Sequence, residues 1–376
     1  MYSQPWTGYR EIPTPVNIWK WKPTLGKFFP PDCVPARWWN KLLKNINGPC
    51  MHCPNEDLKE NKMGNSLPKP SMIHSLFVLA RISNLPTVWT NCLAAWAVNA
   101  SVGENLRSLP EWIDPSVLDG SVLLFLLLGG SLLYAGGCTL NDAFDYSFDL
   151  EHNPDRPLPS GALPCSFAWT AGIVQMLAGG WIMIVPANCS VVWVALLAGS
   201  IIAYDYLHKK WIGSMILMGA CRFLLWASAA TAGGNLEIRP QTWIWATTLA
   251  CYVIGITWFA RGESKSEKTP ARISILLLFG SPLVALAGLI HWNILDPVRQ
   301  FLVNLCGLFV AWIVYQAILR IRESEKGSIG EGVSRLLAGI CVTDAVAVAF
   351  SVPLLAGPCI VCTAGALFMQ KRFAAT

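Results

Sequence analysis

The chain has 376 residues, of which 53% are hydrophobic and 14% charged, with a net charge of +5 and a mean hydropathy of +0.44. An ordinary soluble domain, in which about a quarter of residues are charged, is excluded. No nucleic-acid partner is expected.

Residues 1–70 contain no apolar span and no pattern of a charged start, apolar stretch and small-residue cleavage site. A signal peptide is therefore not expected. The segment carries Arg10, Lys20, Lys22, Lys27, Arg37, Lys41, Lys44, Lys59, Lys62 and Lys69 against Glu11, Asp32, Glu56, Asp57 and Glu60, interleaved with Trp6, Trp19, Trp21, Trp38 and Trp39. We read it as a basic, Trp- and Pro-rich cytoplasmic extension, either lying on an anionic lipid leaflet or loosely ordered. Cys50 and Cys53 lack the second ligand pair of a structural zinc site and read as free thiols. The ten cysteines downstream lie mostly in apolar spans and read as small hydrophobes rather than a disulfide framework.

From residue 71 to 376 the pattern changes. A bilayer core needs roughly 20 apolar residues per helix, and such windows recur at about 72–99, 117–140, 165–186, 190–204, 212–232, 243–259, 273–290 and 301–318. A final block, 336–369, contains Pro353 and Pro358 and reads as one kinked helix or a hairpin of two. The expected fold is all-α, a multi-pass transmembrane bundle of nine or ten helices. Alternate loops carry Arg156; Lys209 and Lys210; Arg261, Lys265, Lys268 and Arg272; then Arg320, Arg322, Lys326 and Arg335, whereas the opposite set holds Arg107, Arg239 and Arg299. Positive residues are retained in the cytoplasm, so the first set and the N-terminus are assigned there.

Chemistry concentrates where the second span reaches that face. Asn141, Asp145 and Asp149 recur every four residues, so a continuing helix would align their oxygens in one stripe, with Asp142 about 100° away. Charge at membrane depth is costly and functional by default. A sparse oxygen stripe suits magnesium, which completes its shell with water and phosphate oxygens. The rigid loop Asn153-Pro-Asp-Arg156-Pro-Leu-Pro-Ser-Gly161 follows, and its Arg156 can grip phosphate with a planar fork.

Tyr204, His208 and Lys209 stand at the next end on this face, and Arg222 falls inside an apolar span. Arg261, Glu263 and Glu267 end the sixth span, and Arg81 and Asn84 in the first span join the substrate-binding set. Phe148, Tyr204 and Trp258 are aromatic candidates for sheltering a cation.

The order of these motifs over about 72–369 resembles the UbiA superfamily of intramembrane aromatic prenyltransferases. Asn141, Asp145 and Asp149 match its N/D-x-x-x-D-x-x-x-D signature. Arg156-Pro-Leu-Pro-Ser-Gly161 matches its arginine-proline loop. Tyr204 through Lys209 is similar to its Tyr-x-x-x-Lys-Arg motif, with His208 in place of lysine. The resemblance implies magnesium and diphosphate binding there, and transfer of a prenyl group from a polyprenyl diphosphate in the lipid bilayer to an unidentified acceptor. The family's second aspartate motif is replaced by Arg261-Gly262-Glu263-Ser264-Lys265-Ser266-Glu267, which puts a second magnesium site in doubt. That replacement and Met218-Gly219-Ala220-Cys221-Arg222 are similar to the ebo-cluster branch of the superfamily. An isoprenoid-binding or carrier protein without turnover is the alternative reading.

Overall fold

The computed structural model describes residues 71–100, 119–211, 213–263, 272–291, 296–323 and 327–373. All regular structure among them is helical: α1 (Met72–Leu79), α2 (Leu85–Ala100), α3 (Gly120–Phe144), α4 (Tyr146–His152), α5 (Cys165–Ile184), α6 (Val191–Leu207), α7 (Ser214–Ala230), α8 (Pro240–Glu263), α9 (Arg272–Leu278), α10 (Gly280–His291), α11 (Pro297–Arg322), α12 (Ser328–Ser351) and α13 (Ala356–Arg372).

Among the described residues six helices are long and apolar enough to cross a membrane, or seven if α9 and α10 form one span bent by 50°. The apolar helices α6 and α7 are shorter, at 17 residues each. Large apolar side chains on the outer faces, such as Leu177, Trp181, Leu308 and Val361, are more than half exposed, as a lipid-facing surface requires.

Three expected spans are interrupted, each at a proline. Pro86 in the first turn of α2 has no N–H to continue a helix from α1. The chain therefore breaks through Arg81, which adopts left-handed φ 44°, ψ 49°, and a short 3-10 turn at Ile82–Asn84. Pro282 follows the α9–α10 bend. Pro353 separates α12 from α13, so the final block is the hairpin rather than one kinked helix, and α12 begins at Ser328, before the expected residue 336.

The helix α12 runs through the interior of the bundle, and from Ala338 to Phe350 every residue is buried. It is anchored to α8 by Tyr252, whose hydroxyl donates to the Leu336 carbonyl at 2.9 Å. The α3–α5 pair is held by glycine. A Cβ on Gly136 would lie 3.0 Å from the Gly172 carbonyl oxygen, and one on Gly179 would lie 2.8 Å from that of Gly129. Small residues on both helices let the backbones touch, the usual way of joining helices where lipid offers no hydrophobic drive. Nine described cysteines are free thiols, as expected, but Cys165 is disulfide-bonded.

Candidate functional site

The aspartate motif straddles a bend. Helix α3 ends at Phe144, Asp145 (φ −85°, ψ −4°) forms the joint, and α4 starts at Tyr146. Backbone bonds nevertheless run from Asp145 N–H to the Asn141 carbonyl (3.0 Å) and from Asp149 N–H to the Asp145 carbonyl (2.9 Å). Helical spacing thus persists through the joint. Asn141, Asp145 and Asp149 are all buried, Asp149 to 1% exposure.

Each acid is met by a cation from another segment. The left-handed backbone at Arg81 carries its guanidinium to Asn141 Oδ1 at 3.2 Å and Asp142 Oδ1 at 3.3 Å. His208 Nε2 lies 3.1 Å from Asp145 Oδ2, and Lys209 Nζ lies 3.0 Å from Asp145 Oδ1. Arg156 donates to Asp149 Oδ2 at 2.7 Å and reaches within 4.0 Å of Asp142, while Asn153 donates to Asp149 Oδ1 at 2.8 Å. Burial opposes ionisation of Asp145, but the hydrogen bonds and charges of His208 and Lys209 outweigh it and hold this carboxyl below the usual carboxylate range.

Two acids that the four-residue spacing left aside belong to the site. Asp142 was expected to point away, yet it is buried and binds Arg81. The motif's acids are not confined to one stripe because Arg81 approaches from the side of α3. Asp205 of α6 accepts from Asn141 Nδ2 at 3.1 Å, and its Oδ2, fully buried, has no hydrogen-bond partner. Both were detectable as ionisable residues at the end of apolar spans.

The other expected site residues stand beside this cluster or apart from it. The Asn84 side chain accepts from Gln370 Nε2 at 3.2 Å, tying the start of α2 to α13 rather than touching the motif. The Tyr204 ring stacks on His208 with centroids 5.3 Å apart. Lys209 Nζ sits 3.6 Å above the Phe148 ring, so this expected cation-sheltering face already carries a lysine. Trp258 is half-buried on α8. Arg222 is buried on α7 and bonded to Asn91 and Thr87, away from the motif. Arg261 and Glu263 fall in the last turn of α8, and Glu267 lies outside the described residues, as do Cys50, Cys53 and the N-terminal extension.

Among the described residues no three His, Cys, Asp or Glu converge into a ready metal centre. The donors present are hard oxygens from Asn141, Asp145 and Asp149. That chemistry fits a magnesium ion sharing its shell with water and phosphate and does not fit a caged transition metal.

The UbiA prenyltransferase family matches residues 111–333, more than half of the chain. The digeranylgeranylglyceryl phosphate synthase of Sulfolobus acidocaldarius is 32% identical over 51% of this chain and 76% of its own length. That of Sulfurisphaera tokodaii is 30% identical over 34% of this chain and 44% of its own, and that of Thermococcus gammatolerans is 50% identical over 13% and 17%. The chain thus spans less than half the length of these last two relatives. The apo structure of a UbiA homolog from Aeropyrum pernix K1 shares the fold, with TM-score 0.51 and 14% identity over 78% of this chain and 98% of that one. On the family match, and on the 32% identity over three quarters of a relative, the chain belongs to the UbiA prenyltransferase family.

Proposed function

We propose that the protein is a magnesium-dependent intramembrane prenyltransferase that moves a prenyl group from a polyprenyl diphosphate to an acceptor. The observation that carries this reading is the interleaving of buried acids Asp142, Asp145, Asp149 and Asp205 with Arg81, Arg156, His208 and Lys209 at one end of an apolar bundle. Acids alone would bind a cation and cations alone an anion; the mixture suits a metal–diphosphate pair. Asn141, Asp145 and Asp149 would hold the magnesium, which when bound neutralises the diphosphate and draws charge onto the leaving oxygen.

The chain's own residues do the rest. Arg81, Arg156 and Lys209 turn from their carboxylates to the diphosphate oxygens, adding charge-assisted bonds as negative charge develops on the leaving group. Asp205 fixes the Asn141 amide through the 3.1 Å bond, so that the Asn141 oxygen stays turned from Asp205 toward Arg81. Apolar helices around the site exclude water and accommodate the prenyl tail. Glu263 and Glu267 take the place of the second aspartate motif. The clustering of Lys and Arg in one set of loops supports a cytoplasmic site and N-terminus, with residues 1–70 an extension outside the membrane domain of 71–376.

The test uses the full chain in lipid nanodiscs with radiolabelled geranylgeranyl diphosphate, with and without magnesium. Magnesium-dependent diphosphate release is expected, and its loss in Glu263→Ala would assign the glutamates to the second metal. The altered second motif favours one other reading, a carrier that binds the diphosphate without cleaving it. Retention of intact diphosphate under every acceptor supplied would establish that reading and end the transferase one. Asp205→Asn is expected to weaken magnesium-dependent diphosphate binding by about 10- to 100-fold, the usual cost of losing a group that orients a ligand. Equilibrium dialysis across a magnesium titration measures it.

A further inference from the structure

Asp205 carries a charge that its bond to Asn141 does not need. On α6 the buried residues are Val194, Leu197 and Asp205, whose spacing marks the stripe facing the bundle. That stripe approaches α3 closely at Gly137, where a Cβ would lie 2.7 Å from Ile201 Cγ2. One turn further along both helices, from 201 to 205 and from 137 to 141, the same approach brings Asp205 to Asn141, whose Nδ2 donates to Oδ1 at 3.1 Å. A leucine would continue the stripe. The sequence places a carboxylate there instead, 4% exposed.

The other three acids of the site each have a cation of their own. Arg81 meets Asp142 at 3.3 Å, Lys209 and His208 meet Asp145 at 3.0 and 3.1 Å, and Arg156 meets Asp149 at 2.7 Å. Asp205 has no cation within ion-pairing distance among the described residues. Arg81 lies within electrostatic reach of it but gives its hydrogen bonds to Asn141 and Asp142. Asp142 and Asp145 lie within the same reach and add charge of the same sign. The Asp205 Oδ2 atom is fully buried and has no hydrogen-bond partner. Holding the Asn141 amide requires no charge, since an amide or hydroxyl oxygen at 205 could accept the same bond. A buried charge left uncompensated is strongly destabilising. A neutral O–H or N–H donor would complete the hydrogen bonding and leave the charge standing, whereas a cation from outside the chain completes both.

We propose that Asp205 is itself a ligand of the magnesium ion, through Oδ2, beside Asn141, Asp145 and Asp149, an inference that deepens the metal site of the transferase reading and rests on it. Oδ1 keeps the Asn141 amide and Oδ2 serves the ion, so that α3, α4 and α6 share one cation. In the Tyr-x-x-x-Lys-Arg pattern the position after the tyrosine is open, so this ligand belongs to this chain and not to the shared motif. It comes from α6 and adds to the first ion, whereas Glu263 and Glu267 follow α8 and serve a second. Magnesium usually takes one or two protein carboxylates and relies on phosphate oxygens for the rest. A third carboxylate gives this site enough charge to hold the ion before the diphosphate arrives.

The experiment titrates the full chain in lipid nanodiscs with manganese(II), a hard divalent ion whose free form is read by electron paramagnetic resonance, with no diphosphate present. Cadmium(II) is then added to displace it. Wild type is compared with Asp205→Asn, Asp205→Ser and Asp205→Cys. Manganese is expected to bind wild type and to bind all three variants about 10-fold or more weakly. In Asp205→Cys alone the affinity for cadmium relative to manganese is expected to rise about 10-fold or more, because a thiolate in the coordination shell favours the softer ion. A residue that only orients Asn141 would not change the ion's preference, so equal cadmium-to-manganese ratios in Asp205→Cys and Asp205→Ser would overturn the proposal. So would manganese binding within twofold of wild type in Asp205→Asn, or wild type that takes up manganese only when the diphosphate is added. Diphosphate release from geranylgeranyl diphosphate, measured on the same wild-type preparation with magnesium, judges the transferase reading separately. The cadmium switch without any release would leave Asp205 as a metal ligand and remove the transferase reading; release without the switch would keep that reading and remove the ligand.

Discussion

Replacing Asp145 by asparagine is expected to lower kcat/KM for the prenyl diphosphate by about 1,000-fold, equivalent to about 4 kcal/mol of lost transition-state stabilisation. Asp145 stands at the joint between α3 and α4 and meets both His208 and Lys209, at 3.1 and 3.0 Å. Removing its charge takes an oxygen donor from the metal and leaves Lys209 and His208 without their acid. The substitution preserves shape, so the backbone bonds on either side of residue 145 are expected to hold. The check is steady-state kinetics with a magnesium titration, beside a thermal melt of the same preparation. Activity within 10-fold of wild type would remove Asp145 from the metal set.

Gly179→Ala and Gly180→Ala are expected to change stability in opposite directions although the positions are adjacent. A Cβ on Gly179 would sit 2.7 Å from Leu133 N and 2.8 Å from the Gly129 carbonyl oxygen, both backbone atoms that cannot turn aside. The helices α3 and α5 must separate, at a cost of about 2–3 kcal/mol in the range typical of overpacking. A Cβ on Gly180 meets only Val194 Cγ1 at 4.0 Å. Alanine there gains helix propensity, up to about 1 kcal/mol. Melting of the detergent-solubilised proteins reads both, and because α3 carries the aspartate motif, Gly179→Ala is expected to lose activity along with stability. Equal melting temperatures would mean that α3 and α5 do not pack through these glycines.

Composition and periodicity were enough to identify an all-helical membrane bundle, because long apolar stretches leave helices as the only open-ended solution for the backbone. Breaks were harder to place. Pro86 and Pro282 were visible, but the expected spans 72–99 and 273–290 ran through them, since average hydropathy does not register a missing N–H. The aspartate motif, Arg156, His208 and Lys209 were legible from spacing, and the structure gathers them. Arg81 was foreseen as well, though not the left-handed turn that delivers it. Asp142 and Asp205 were missed because helical spacing describes one helix, whereas both are recruited by partners on other segments. Asn84 shows the converse: a polar residue beside the site in sequence serves to join two helices.

The joining of Asn84 to Gln370 has a further consequence when taken with Phe373, whose ring lies 5.7 Å from His74 and 5.8 Å from Phe77. The first described helix thus meets the end of the last along one seam. That seam lies only α1, about 12 Å of helix, from the arginine that holds Asn141 and Asp142.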